Sequence, residues 1–152
     1  MTNLMGEFEC RIEAKGRLQL PVALKKQLPV EAQDRFVINC GFENNLVLYP
    51  YNEWEIIQKK LSGLNEFKKD DREFIRIFYK GLTEITLDSA SRLLIPKRLL
   101  DWASIDKEVI LSARLNKIEI WDKTKYDSYF DKSSDDYSEL AEKVLGSVNL
   151  NI

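Results

Sequence analysis

An internal repeat restricts this 152-residue chain more than any other feature. Residues 6–28 align without a gap with residues 81–103, so the chain must be read as two related units before any single element is assigned. In both copies an acid is followed by three residues, an arginine, an apolar triplet with a variable middle, and a proline. The first copy reads Glu13, Arg17, Leu18-Gln19-Leu20, Pro21, and the second reads Asp88, Arg92, Leu93-Leu94-Ile95, Pro96. After a three-residue difference in length a second block matches. There Val37-Ile38 is set against Val109-Ile110, and the segment from Asn44 to Tyr49 against that from Asn116 to Trp121.

The pattern inside each copy is that of short strands. Phe8, Cys10 and Ile12 alternate with Glu9, Arg11 and Glu13, as Ile85 and Leu87 alternate with Glu84, Thr86 and Asp88, which gives one buried and one solvated face. Residues 14–16 and 89–91 then turn the chain into Leu18–Leu20 and Leu93–Ile95. Gly16 suits a turn position of positive φ, which Ser91 would occupy at some steric cost. Pro21 and Pro96 open short helices over 22–28 and 97–103, because a first-turn N–H has no intrahelical partner to lose. A hairpin closes each copy, over 36–40 and 46–49 in the first and over 109–112 and 118–121 in the second. Asn44-Asn45 and Asn116-Lys117 supply its turn.

About four short strands and one helix per copy are too few to close a barrel, and units much below roughly 60 residues bury too little surface to stand alone. The two copies are therefore expected to complete one barrel between them. Residues 52–61 and 66–80 read as connecting helices, the second with Phe67, Phe74 and Phe78 on one stripe and Lys68, Arg72, Arg76 and Lys80 largely elsewhere. A last helix is expected over 137–145, after the acidic stretch 131–136.

Composition bounds the chemistry. With 44% hydrophobic and 32% charged residues the chain is globular. It has no histidine, which removes Ser-His and Cys-His catalysis and the commonest zinc ligand together. Cys10 and Cys40 have no second cysteine at metal-ligand spacing and read as reduced thiols in or near the core. No metal, cofactor, small-molecule substrate or catalytic residue is expected, and the adjacent carboxylates Asp70-Asp71 and Asp135-Asp136 fit solvated surface or helix ends. No apolar run approaches the roughly 20 residues of a membrane helix and no signal-peptide core precedes Phe8. The expectation is a cytoplasmic protein.

Two copies of acid-x-x-x-Arg followed by an apolar stretch and proline, about 75 residues apart, resemble the MraZ family, a two-repeat relative of the AbrB-type DNA-binding domain. The likeness covers the chain from Gly6 to Tyr126. It implies an α+β fold, with two tandem AbrB-like units forming one swapped-hairpin-type β-barrel with flanking helices. The units are 6–51 and 81–126, joined by a helical connector 52–80 and followed by a C-terminal helix and tail over 127–152. The resemblance also implies a transcriptional regulator associated with the nucleoid. Such proteins bind direct repeats in the promoter of the division and cell-wall gene cluster, typically repress it, and assemble as homo-oligomeric rings. Double-stranded DNA is then the partner, with no membrane involved. Arg17 and Arg92 take the place of the motif arginines and Asp88 that of the second acid. The chain departs from the family pattern at Glu13, where aspartate is usual, and at Ser91, where glycine usually precedes the arginine.

The arginine chemistry is consistent with that role. A guanidinium is a planar fork of donors that grips a phosphate or the major-groove edge of guanine, and a hairpin tip carries it outward. Arg11, Lys15, Lys25 and Lys26 in the first copy, and Lys97 and Arg98 in the second, are placed in sequence to reach phosphates. The acids Glu13 and Asp88 have three open roles: ion pairs to the arginines, contact with DNA, or a place at a subunit interface. The arginines themselves have a structural or interface role as their alternative. A net charge of −2 is low for a nucleic-acid binder, so binding would have to come from local patches multiplied by assembly.

The competing reading is an AbrB-like protein-interaction module or an antitoxin-type partner protein, favoured by the net acidity and the long helix 66–80. Trp54, Trp102, Trp121, Tyr49 and Tyr126 lack the spacing of a base-stacking platform and read as core or interface aromatics.

Overall fold

Alternation of apolar and charged side chains produces the first strand, β1 (Leu4–Glu13). It turns Leu4 and Ile12 into the core, packs Phe8 and Cys10 against it, and leaves Met5, Glu7, Glu9, Arg11 and Glu13 exposed. The computed structural model describes residues 2–133 and 136–146. After β1 come β2 (Arg17–Gln19), α1 (Val22–Lys25), β3 (Arg35–Cys40), β4 (Leu46–Pro50), α2 (Tyr51–Leu61) and α3 (Lys69–Tyr79). The second copy contributes β5 (Thr83–Thr86), β6 (Arg92–Leu94), α4 (Lys97–Trp102), β7 (Glu108–Leu115) and β8 (Lys117–Asp122).

These strands form one antiparallel sheet of eight in the order β5-β3-β4-β8-β7-β1-β2-β6. Its two edge strands meet where Asp88 N donates to Arg92 O at 3.0 Å, so the sheet is a nearly closed barrel. The copies interlock. The first strand of each pairs with the third of the other, β1 with β7 and β5 with β3, while β2 pairs with β6. Matching bonds mark the pseudo-twofold relation: Leu20 N donates to Ser91 O at 3.0 Å, and Ile95 N donates to Gly16 O at 2.9 Å. The expected α+β barrel completed by two copies is therefore the observed fold.

Leu18, Leu20, Leu24, Phe36, Ile38, Leu93, Ile95, Leu111 and Ile118 fill the barrel. A second apolar cluster lies on the other side of the sheet, where Val37, Val47, Tyr49 and Trp54 pack with Ile57, Leu61 and Phe78 of the connecting helices.

Burial corrects the alignment of the second block by one residue. Phe36 and Ile38 share the barrel interior with Val109 and Leu111, so Val37 corresponds to Ile110, not to Val109. The slip has a physical cause: these strands are apolar on both faces, so no alternation marks the register.

The helix ends also differ from expectation. Pro21 and Pro96 stand one residue before α1 and α4 and accept their first bonds. The helix expected over 22–28 is α-helical only to Lys25; the residue before Pro29 is biased away from helical backbone. α3 starts at Lys69 and not Glu66, because Asn65 accepts the Phe67 N–H at 3.0 Å in a preceding turn. Phe67 is left 96% exposed and outside the helical stripe.

Residues from Lys123 onward form a second compact unit. It holds α5 (Lys123–Ser133), in which the Tyr126 and Phe130 rings lie 4.7 Å apart, and α6 (Tyr137–Leu145). Sequence reading found α6 and missed α5, whose charged surface carries little helical periodicity. Asp131 belongs to α5, Asp135 lies outside the described residues, and so does the tail beyond Gly146. No helix of the described residues is long and apolar enough to cross a membrane.

Candidate nucleic-acid interface

The two motif arginines enter the structure on one short ladder. Arg17 pairs with Leu94, Leu18 with Leu93, and Gln19 with Arg92. Directly opposite residues of an antiparallel pair share a face and successive ones alternate. Leu18 and Leu93 therefore point inward together, each fully buried. Arg17, Gln19, Arg92 and Leu94 share the outer face. Strand geometry puts the two arginine Cα atoms about 8 Å apart, from two residues of offset and one strand spacing. That span covers two to three base steps of about 3.4 Å along a DNA strand.

The tips preceding the arginines differ. In the second, Asp88 Oδ1 accepts the N–H groups of Ala90 at 2.8 Å and Arg92 at 2.9 Å, and Oδ2 accepts from Arg92 Nε at 3.0 Å. The backbone N–H of Arg92 does most to hold the Asp88 carboxyl below its ordinary pKa, followed by the N–H of Ala90 and the Arg92 side chain. Ser91 sits at φ 60°, the left-handed position anticipated for it. Two side chains of the first copy complete the tip: Gln19 Nε2 donates to Ala90 O at 2.8 Å, and Lys25 Nζ donates to Ser91 Oγ at 2.6 Å.

The first tip has none of these ties. Glu13 supplies no capping bond, the chain turns through Lys15 (φ 68°) and Gly16 (φ 79°), and the Arg17 side chain has no bonded partner among the described residues. Gly16 is required there, because a Cβ would lie 2.8 Å from Ile95 O. The position matching Lys25 is Leu100, whose Cδ1 would lie 3.6 Å from that Cβ. Beside this tip is an open groove of about 490 Å³, floored by Ile12, Ile95, Leu100 and Ile105 and rimmed by Lys15, Lys97 and Lys107 with Glu13, Asp101 and Asp106.

The structure therefore brings Arg17, Arg92, Lys15 and Lys97 to one region, keeps Arg11 on the same outer face two residues before Glu13, which lies opposite Arg17, and places Arg98 apart. Lys97 pairs with Asp101 at 3.0 Å. Arg11 lies on the outer face of β1 opposite Glu108. Arg98 donates to Thr83 Oγ1 at 3.2 Å, at the far end of β5 from Asp88. Sequence reading did not single out Gln19 and Leu94. The signal was present, since alternation within each apolar triplet places them beside the arginines. Lys25 reads in sequence as one more cation placed to reach phosphates, and its reach across the seam to Ser91 has no sequence signature.

Among the described residues no three His, Cys, Asp or Glu side chains are grouped to hold a metal. Cys10 and Cys40 are free thiols whose pKa values burial pushes up.

The family model described as "MraZ protein, putative antitoxin-like" matches residues 3–77 and again 78–147. A protein of Christiangramia forsetii named transcriptional regulator MraZ is 50% identical over 148 residues, covering 97% of this chain and 96% of its own length. One of the same name from Flavobacterium psychrophilum is 45% identical over 98% of this chain and 96% of its own. Another from Desulforamulus reducens is 36% identical over 93% and 96%. With two family matches laid end to end over its two copies, this chain belongs to the MraZ family.

Proposed function

We propose that this protein is a non-enzymatic transcriptional regulator that binds double-stranded DNA through the outer face of the β2–β6 ladder. The carrying observation is the placement of Arg17 and Arg92 side by side on that exposed face, about 8 Å apart. The relatives' names support the regulatory role. Lys15, Lys97 and Arg11, which shares the outer face with Arg17, would reach phosphates, with Arg98 as a peripheral cation that shapes the field.

The family resemblance supports the finer reading: a nucleoid-associated repressor of the division and cell-wall gene cluster, bound to promoter direct repeats as a ring. The charge balance gives the ring a purpose. A subunit with net charge −2 and two or three good phosphate contacts binds weakly alone. Head-to-tail copies on repeated boxes gain by effective concentration, on the order of 10²-fold.

The test is binding to duplexes carrying direct repeats at varied spacing, against scrambled duplexes, with the subunit number measured by native mass spectrometry. Spacing-dependent preference that falls steeply with salt is expected. Equal weak binding to all duplexes, unchanged in the Arg17→Ala, Arg92→Ala double variant, would overturn the reading. The protein-interaction or antitoxin-type alternative is favoured by the exposed Phe67 and Ile77 of the connector. It predicts a stoichiometric protein partner on copurification and no retention of DNA.

A further inference from the structure

The two copies present the same arginine in two different mechanical states. Arg92 is fixed: its Nε is held by Asp88, its backbone N–H by the same carboxylate, and its tip by Lys25 and Gln19 from the other copy. Because only Nε is used, both terminal amino groups of Arg92 are without a bonded partner among the described residues. Arg17 is free: Glu13 is one methylene longer than the aspartate at position 88 and caps nothing. Leu94 stands where Gln19 does in the other copy, and Leu100 where Lys25 does.

Contact with a base edge and contact with a phosphate make different demands. A bidentate grip on guanine needs the guanidinium plane held in one orientation, and a side chain already held there loses little freedom on binding. A phosphate accepts donors from many directions, so a mobile arginine serves it well.

We propose that the hairpins divide the labour: Arg92 is the specificity-determining residue that reads a base, and Arg17 contacts phosphate without reading sequence. Asp88 and Lys25 are positioning residues for Arg92. The inference rests on the DNA-binding reading above and goes beyond it by making the two motif arginines unequal.

The experiment starts with the full chain and a randomised duplex pool, from which the preferred site is selected. Affinity is then measured for that site, for each single-base substitution of it and for a scrambled duplex, over a range of salt. Arg17→Ala should weaken selected and scrambled duplexes by the same factor and lower the slope of log affinity against log salt by about one. Arg92→Ala should remove on the order of 10-fold or more of discrimination at one base pair and leave scrambled binding within a few-fold. Asp88→Asn and Lys25→Ala should reduce discrimination at that same base pair while retaining the salt slope. Glu13→Asp, a conservative change on an exposed tip, should install the missing cap and add discrimination at a second base pair.

Matching profiles for the two arginine variants, or loss of base discrimination in Arg17→Ala alone, would overturn the division of labour while leaving DNA binding intact. A pool that yields no preferred site would overturn the DNA-binding reading itself, and this inference with it.

Discussion

Leu18 lies directly opposite Leu93 at the centre of the β2–β6 ladder, and both are completely buried. The pair pins the seam between the copies and sets the two arginines on the opposite face. Leu18→Ala should cost about 2–5 kcal/mol, as large-to-small changes at sites of this burial do. Leu93→Ala should cost a similar amount. Because the two buried residues lie directly opposite each other, the spaces left by truncating them would merge and the double variant should fall short of the sum, and urea denaturation of all three proteins measures this. Full additivity would show that the seam is not a shared packing unit.

Glycine is needed at only one of the two tips. Gly16→Ala combines φ 79° with a Cβ 2.8 Å from Ile95 O, and should destabilise by about 1–3 kcal/mol. Ser91→Gly relieves a left-handed serine and removes the bond from Lys25, two effects of opposite sign. Its melting temperature should stay within a few degrees of wild type. A larger fall for Ser91→Gly than for Gly16→Ala would contradict the assigned roles.

The doubling, the barrel and the arginine tips were legible because they are periodic or local. The spacing of acid, arginine and proline is written twice, and alternation in β1 marks its buried face without ambiguity. Three features were not legible. The residue-by-residue correspondence of β3 in the first copy with β7 in the second is lost in runs apolar on both faces, and α5 has little amphipathic signal. The inequality of the tips depends on Lys25 and Gln19 reaching across the seam, 66 and 71 residues along the chain, where no local pattern records the contact.

Acid should loosen the second tip selectively. The folded pKa of Asp88 is depressed, chiefly by the backbone N–H of Arg92, so its charged form stabilises the fold above the unfolded value near 4. That contribution is lost as pH falls through the lower folded value. The stability difference between wild type and Asp88→Asn should thus be constant from neutral pH to about 5 and vanish below the carboxylate range. Thermal melts across this range test it. A difference that grows on acidification would reverse the assigned sign.

Trp54 anchors the connector independently of the seam. Its ring stacks on Phe78 at 6.3 Å with an interplanar angle of 7°, and meets Tyr49 and Tyr79 at 6.2 Å each. Asn39 of β3 reinforces this dock by donating to Phe78 O at 2.7 Å. Trp54→Ala should cost about 3–5 kcal/mol, as for other buried aromatics. The loss should be local first: amide protons of α3 should exchange faster while those of β2 and β6 keep their protection, because the two clusters lie on opposite faces of the sheet. Hydrogen exchange resolved by element distinguishes the cases. Equal loss of protection in α3 and in the β2–β6 ladder would mean that the connector and the barrel open as one unit. The helices would then be part of the scaffold that holds Arg17 and Arg92 in place, not an attachment to it.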